Sequence, residues 1–505
     1  LREHEAKLSI EADSELPDLG VPTAAVCGEI LAPRQRTITD VYYDTADLRL
    51  LRWGCTLRHR RRSGWTVKLP IGSTDESLTR DEVDLGGRAG KPPPEALRLV
   101  MSFSRGQPLT VIATITTQRT IRPVRSREGR ALVEVADDLV SSVTVDGVAT
   151  TFRQVEVELA PDADPSILGP IVQALTDAGA RPEPEGIKLA IALGRPPLEP
   201  DVVVPDLPKR PSARHVIHRA IARSVTQLLV QLPLARLGDP EAVHQARVAT
   251  RRLRSDLRTC RPLLDRAGAA ELFPGLRDLA AHLGRVRDAD VLHQLLRTTL
   301  AAHPEIDASA GDEVLARLGH RRERALAALD THLDRPETHR LLDDLVRASA
   351  DPPTTAGADG PARQQLAHLV HGRWRRLRRA VRDLGPAPSP EALHEVRILA
   401  KRARYATDAV APVFGSATRR FAASLGALQD ALGDRNDADV ADRWLRDHAT
   451  GLTPPAAFAA GRLAQALHDT AAIDDRWRAR WETVQGRRPG WLADPGHRAT
   501  AETEG

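Results

Sequence analysis

One helix is written twice in this chain. His244-Gln-Ala-Arg247-Val-Ala-Thr-Arg251-Arg252-Leu-Arg254 returns as His394-Glu-Val-Arg397-Ile-Leu-Ala-Lys401-Arg402-Ala-Arg404, with the same spacing of +3, +4 and +3. At about 100° per residue, those offsets stack His, Arg, Arg or Lys, and Arg on one helical stripe, a basic seam that suits a polyanion. A second echo follows each copy: Leu283-Gly-Arg285-Val-Arg287-Asp288-Ala-Asp290 against Leu432-Gly-Asp-Arg435-Asn-Asp437-Ala-Asp439. Two landmarks recurring in order mark a duplicated helical unit, which neither half completes alone. The Asp pairs read as helix caps or as partners that orient arginines, at helix junctions broken by glycine.

The chain of 505 residues is too long for one ordinary core, and roughly two to four domains are expected of that length. A formal charge of +4 says little, because the bases are clustered while acids dominate elsewhere. Aromatics make up 3% of the residues, which argues against single-stranded nucleic acid read by base stacking. Cys27, Cys55 and Cys260 are isolated, so neither a disulfide framework nor a thiolate zinc site is indicated, and a reducing, cytoplasmic setting is expected. No membrane partner is expected, since no apolar run nears the ~20 residues that span a bilayer. The start also lacks a charged-then-apolar leader.

Up to about residue 193 the pattern is one of short strands: Val41-Tyr-Tyr, Cys55 to Arg60, Trp65 to Lys68, Ala131 to Val135 and Phe152 to Leu159. Turn signals such as Arg62-Ser-Gly and Asp146-Gly separate them, and two helical segments intervene near 95–103 and 166–178. The expectation is an α+β unit at 1–193, a Pro-rich linker at 194–211, an all-α unit at 212–485 with repeats at about 212–349 and 362–485, and a flexible tail at 486–505.

In the first strand, Glu3, Glu5 and Lys7 share a face, because side chains alternate along a strand; Glu156 and Glu158 do the same near the unit's end. Alternating Glu alone is common on an exposed sheet face. The interleaved bases change that reading: Arg58 and Arg60 share a face, Lys68 follows on the next strand, and Arg80, Arg119 and Lys188 lie on separate elements. Acids and bases lining one interior suit a wet lumen, in which the acids hold Mg²⁺ or Mn²⁺ and the bases face phosphates.

These residues resemble a known family. Glu3-x-Glu5-x-Lys7, Tyr43-Asp-Thr, Leu57-Arg58-x-Arg60, Trp65-x-x-Lys68, Arg80-x-Glu82, Glu134, Glu156-x-Glu158 and Lys188-Leu-Ala follow, in order, the pattern of CYTH domains, the triphosphate tunnel metalloenzymes. The resemblance implies an antiparallel eight-stranded tunnel barrel, a divalent metal and a linear triphosphate substrate. It implies metal contacts from Glu3, Glu5, Glu134, Glu156 and Glu158, and phosphate contacts from Lys7, Arg58, Arg60, Lys68, Arg80, Arg119 and Lys188. Lys7 or Glu5 would organise the attacking water.

The duplicated half resembles the CHAD domain, a helical module that binds inorganic polyphosphate. The implied contacts are His244, Arg247, Arg251, Arg252, Arg254, Arg285 and Arg287 in the first copy, and His394, Arg397, Lys401, Arg402 and Arg404 in the second. Ile398 stands where that family commonly has Lys, and Arg435 where it commonly has His. A further run, Arg373 to Arg382, either extends the track or covers the outside of an amphipathic helix.

The reading is metal-dependent hydrolysis of inorganic triphosphate or a related phosphate chain, with the helical unit holding long-chain polyphosphate, in association with polyphosphate granules or free of them. The alternative is a non-catalytic polyphosphate-binding or granule-associated protein. A nucleotide cyclase and a thiamine triphosphatase are further enzymatic readings, and a DNA or RNA binder is the third class.

Overall fold

A computed structural model describes residues 2–3, 5–17, 19, 28–73, 78–183, 187–194, 199–472 and 476–492. The chain divides into two compact units, Leu1–Asp201 and Val202–Gly505. Among the described residues no helix is long and apolar enough to cross a membrane.

In the first unit, runs of alternating burial become strands β1 (Arg2–Glu3), β2 (Glu5–Ile10), β3 (Gly28–Ile30), β4 (Arg34–Asp44), β5 (Thr56–Arg60), β6 (Gly64–Ser73), β7 (Leu78–Gly86), β8 (Thr110–Ser126), β9 (Ala131–Thr144), β10 (Ala149–Leu159) and β11 (Arg181–Pro182). Short helices α1 (Arg49–Arg52), α2 (Pro94–Leu99), α3 (Met101–Ser104), α4 (Leu168–Asp177) and α5 (Lys188–Ala192) interrupt them. All ladders are antiparallel, in the order β1-β7-β6-β5-β4-β8-β9-β10-β2-β11, with β3 on β8.

Among the described residues the expected tunnel barrel of eight strands is corrected to an eleven-stranded sheet whose pairings run on an open path. Arg2–Glu3 pairs with β7 at one end of the path and Glu5–Ile10 with β10 near the other, with His4 between them outside the described residues. The short pairings of β3 and β11 add the rest.

Alternation sorts the two faces. Leu8, Val133, Val135, Val155 and Val157 pack beneath Ile171 and Leu175 of α4, each fully buried aliphatic side chain contributing about 1.5–3 kcal/mol. The intervening residues of the same strands, Glu5, Lys7, Asp138, Glu156 and Glu158, point to the opposite face by the same period of two. At the β5–β6 turn, Gly64 holds φ +87°, and a Cβ there would strike the Gly86 backbone. Asp44 of the Tyr43-Asp-Thr motif accepts hydrogen bonds from the N–H groups of Thr45, Leu50 and Leu51 at 2.7–2.9 Å, capping α1. Burial raises that carboxyl to about 6 against these bonds.

The second unit is helical throughout: α6 (Ala213–Arg236), α7 (Pro240–Thr259), α8 (Arg266–Ala302), α9 (Ala308–Leu333) and α10 (Pro336–Ala350), then α11 (Ala362–Arg382), α12 (Pro390–Phe414), α13 (Ser416–His448), α14 (Pro454–Ala472) and α15 (Arg476–Gly486). Each set of five runs in the same order. The two basic helices even start alike: Asp239 accepts from Ala242 N–H before Pro240, and Ser389 accepts from Ala392 N–H before Pro390. Where the halves begin, Ala213 N–H donates to Gly360 O and Ala362 N–H to Pro211 O, both at 3.0 Å, a reciprocal backbone bridge.

The glycine-broken junctions expected at Asp288 and Asp437 do not form, because α8 and α13 run continuously through them. Helical packing overrides the ~1 kcal/mol propensity cost of one interior glycine. Residues 490–492, inside the expected tail, form a turn whose Trp491 stacks on Phe414 and donates to Thr418 Oγ1 at 3.0 Å.

Candidate functional site

The polar face of the first unit encloses a cavity of about 220 Å³, lined by seven cationic side chains (Lys7, Arg36, Arg58, Arg60, Lys68, Arg119 and Lys188) and five acids (Glu5, Asp40, Glu82, Glu156 and Glu158). Strand register brings them together. Arg58 and Arg60 of β5 pair in register with Tyr42 and Asp40 of β4, Arg119 of β8 with Asp138 of β9, and Glu156 and Glu158 of β10 with Lys7 and Glu5 of β2.

Six of these seven cations are held by carboxylates. Arg60 donates through Nε and Nη2 to the two oxygens of Asp40 at 2.8 and 2.9 Å. Arg58 Nη2 donates to Glu82 at 3.0 Å, and Lys68 Nζ lies 2.9 Å from the other Glu82 oxygen. Arg119 forks onto Asp138 at 2.7 and 2.6 Å and also reaches Glu156. Lys188, at the start of α5, donates to Glu156 at 2.6 Å and lies 2.7 Å from Asp138. Lys7 Nζ is 2.8 Å from Glu5.

Electrostatics divides the acids. Burial pushes the Glu156 carboxyl up, but Lys188, Arg119 and Lys7 override it and hold it well below the usual range. Burial likewise disfavours the charged Lys188, yet Glu156 and Asp138 raise its pKa. Glu158 goes the other way, raised by burial and then by Glu5 across the ladder. An acid pair crowded in this way, with oxygen donors only, suits a hard divalent cation. Among the described residues, no three His, Cys, Asp or Glu side chains gather as a metal site.

Of the sequence-derived set, Lys7, Glu5, Arg58, Arg60, Lys68, Arg119, Glu156, Glu158 and Lys188 line this one cavity. Glu134 stands in register with Glu158 but exposed and outside the lining. The backbones of Glu3 and Arg80 pair with each other, while their side chains lie outside the described residues. Sequence reasoning missed Arg36, Asp40 and Asp138. The alternation Arg36-x-Ile38-x-Asp40-x-Tyr42 was a signal for the first two. Asp138 sits in an Asp137-Asp138 doublet beyond Ala131 to Val135, the run that the sequence marks as strand.

In the second unit, α7 and α12 bring their seams together. Arg251 Nε donates to the Tyr405 hydroxyl at 2.7 Å, and its guanidinium lies over that ring 5.5 Å from the centroid. Arg404 approaches the same ring at 6.0 Å. Lys401 is lowered to about 7, by burial first and then by Arg251, Arg247 and Arg397. His244 is lowered by burial and then by Arg287. Arg247 donates to Asp288 at 2.7 Å and Arg322 to Asp290 at 2.5 Å, so both aspartates orient arginines. Arg397 lies against Gly433 and Arg404 against Gly426, where α13 carries no side chain.

Other residues of the predicted seam sit apart from this cluster. Arg252 faces Asp408 at 3.7 Å on a neighbouring wall, Arg402 is exposed near Arg373, and Arg285 lies beside His332. Arg254 is crowded by Arg258 and Arg277, and His394 is exposed. Asp408 was the unrecognised member, and Tyr405, part of the Arg404-Tyr405 motif, had no assigned role. Asp408 follows Arg404 by one helical turn, and Tyr405 follows it directly.

Together these features define a class: a strand unit built around a charged cavity, followed by a duplicated helical unit with paired basic helices. Residues 1–176 match the CYTH domain and residues 219–446 the CHAD domain. An uncharacterized protein of Mycobacterium tuberculosis, Rv2226 in strain H37Rv and MT2285 in strain CDC 1551, is 31% identical over 458 residues, covering 84% of this chain and 85% of that one. The chain belongs to the family in which a CYTH domain precedes a CHAD domain. The solved CHAD domain of the plant Ricinus communis is 25% identical, with a TM-score of 0.47, covering 57% of this chain and 96% of that one. A putative adenylyl cyclase from Hippeastrum, described as having a dominant triphosphatase activity, is 15% identical with a TM-score of 0.25, covering 39% and 99%.

Proposed function

We propose that the first unit hydrolyses a phosphoanhydride bond of inorganic triphosphate or a related phosphate chain, and that the helical unit holds long-chain polyphosphate. One observation supports this most: seven cations face one cavity of about 220 Å³, and the Arg60 and Arg119 forks are each matched to a carboxylate that phosphate oxygens can replace. Arg58, Arg60, Lys68, Arg119 and Lys188 grip the chain in this reading, with Arg80 added by position in β7. Their donors fix the phosphorus in line and spread its charge, which is the greater part of phosphoryl-transfer catalysis. Lys7, held by Glu5, positions the attacking water.

Glu5 and Glu158, with Glu134 and Glu156 beside them in the ladders and Glu3 added by its place two residues before Glu5, would hold Mg²⁺ or Mn²⁺. Such a cation supplies neutralisation of phosphate charge. In the helical unit, Arg247, Arg251, Arg397, Lys401 and Arg404, with His244, meet the chain. We place the protein in the cytoplasm, with polyphosphate granules as a site of association.

The test is phosphate release from tripolyphosphate, long-chain polyphosphate, ATP and thiamine triphosphate with Mg²⁺ or Mn²⁺, for wild type and for Glu5→Ala/Glu158→Ala. Metal-dependent release from a linear phosphate, abolished in the variant, is expected. No release from any substrate sinks the enzyme reading and leaves the non-catalytic polyphosphate binder.

A further inference from the structure

A second concentration of positive charge lies beyond the seam. A cavity of about 900 Å³ opens between the last turn of α7, the start of α8 and one face of α11, walled by Arg258, Arg261, Arg266, Arg373, Arg376 and His368. Its one acid, Asp265, is engaged as the cap of α8, accepting from Gly268 N–H at 2.9 Å. Arg373 donates to the Arg258 carbonyl at 3.3 Å, and no carboxylate ion pair involves any of the five arginines among the described residues. The Arg373 guanidinium is disfavoured by burial and then by Arg376, Arg402 and Arg258. Like charges held together without counter-charge are relieved by an anion.

The place of this cavity along α7 matters. Arg247, Arg251, Arg254 and Arg258 recur at helical spacing on one stripe, so Arg258 belongs to the seam and to the cavity wall at once. From His244 to Arg258 the stripe covers roughly 21 Å of helix axis at 1.5 Å per residue. We propose that this cavity is a second anchoring site for the phosphate chain bound at Arg251 and Lys401, so that the helical unit selects chains long enough to occupy both. The inference rests on the polyphosphate reading of the seam. Joining two sites through one ligand raises affinity without any new kind of interaction. Phosphate fits better than nucleic acid, because the aromatic ring at the seam, Tyr405, is covered by Arg251 and Arg404 rather than open to a base.

The experiment measures binding of the full chain to tripolyphosphate and to long-chain polyphosphate across a salt series, with EDTA to suppress turnover. It compares wild type, Arg261→Ala/Arg266→Ala/Arg373→Ala/Arg376→Ala, and Arg251→Ala/Lys401→Ala. For the quadruple variant the slope of log affinity against log salt for the long chain is expected to shrink by roughly three, at about 0.7 for each phosphate that goes unneutralised. Tripolyphosphate binding stays unchanged. An unchanged slope for the long chain overturns the second site. Should the quadruple variant unfold, Arg261→Gln/Arg376→Gln, both exposed, decides by a slope smaller by about half that amount. Duplex RNA bound as tightly as polyphosphate, with the same fall in slope, overturns phosphate as the occupant. No change in Arg251→Ala/Lys401→Ala means instead that the seam reading itself has failed.

Discussion

Lys401 titrates where its arginine neighbours do not. Its ammonium is lowered to about 7 by burial and by Arg251, Arg247 and Arg397, and a bound anion favours the protonated form, so binding takes up a proton. Polyphosphate affinity should be flat below about pH 7 and fall above it, measured by titration at fixed salt. Lys401→Arg should flatten that dependence. In the first unit the two glutamates of β10 pull in opposite directions. Glu156, depressed by its cations, contributes stability above the ordinary carboxylate range that is lost only as pH falls through its lowered value. Lys188→Met leaves Glu156 and Asp138 short of a partner, and should cost about 3–5 kcal/mol and move acid unfolding to higher pH. Glu158, raised by burial and Glu5, contributes stability below the ordinary range that is lost as pH rises. A divalent cation at this pair should displace a proton, so metal affinity should climb with pH, and Glu158→Gln should abolish that climb in a calorimetric titration. Most cavity residues were legible in the sequence because strand alternation fixes their face. Their acidic partners were less so, because Arg119 on β8 finds Asp138 only through a cross-strand register that local pattern does not set.

Among the elements, α13 does unusual service by what it lacks. Gly426 and Gly433 leave room for Arg404 and Arg397 to lie flat on the helix. Gly433→Ala should raise the thermal midpoint by the ~1 kcal/mol that separates the two residues in a helix. Gly433→Leu should instead displace Arg397 and weaken polyphosphate binding, at unchanged helicity by circular dichroism. The basic helices were legible from their repeat, but not their starts, which lie at Pro240 and Pro390, four residues before the histidines that mark the two copies. The ladder partners of the first strand were less legible: Arg2–Glu3 pairs with β7 and Glu5–Ile10 with β10, neighbours that alternation cannot foretell. The continuity of α8 and α13 through their glycines was hidden for another reason, since the packing that overrides propensity comes from helices distant in sequence.

At the scale of the molecule, each compact unit has its own core and its own cationic site. A ligand that binds only the folded state stabilises it by mass action, so long-chain polyphosphate at about 100 times its Kd should stabilise the helical unit by about 2.7 kcal/mol, read as a higher midpoint for loss of helical signal. The division into a strand half and a helix half was plain from periodicity. The strand count was not, because short pairings such as β3 and β11 carry too few residues to show a period. The bridge between the two starts, Ala213 to Gly360 and Ala362 to Pro211, uses only main-chain atoms. Such a joint asks little of side-chain identity, with the exposed Arg214–Asp359 pair at 2.7 Å as a side-chain link beside it. The two copies differ elsewhere, Val248 against Ile398 and Arg285 against Asp434, while their starts are held to one another through the main chain.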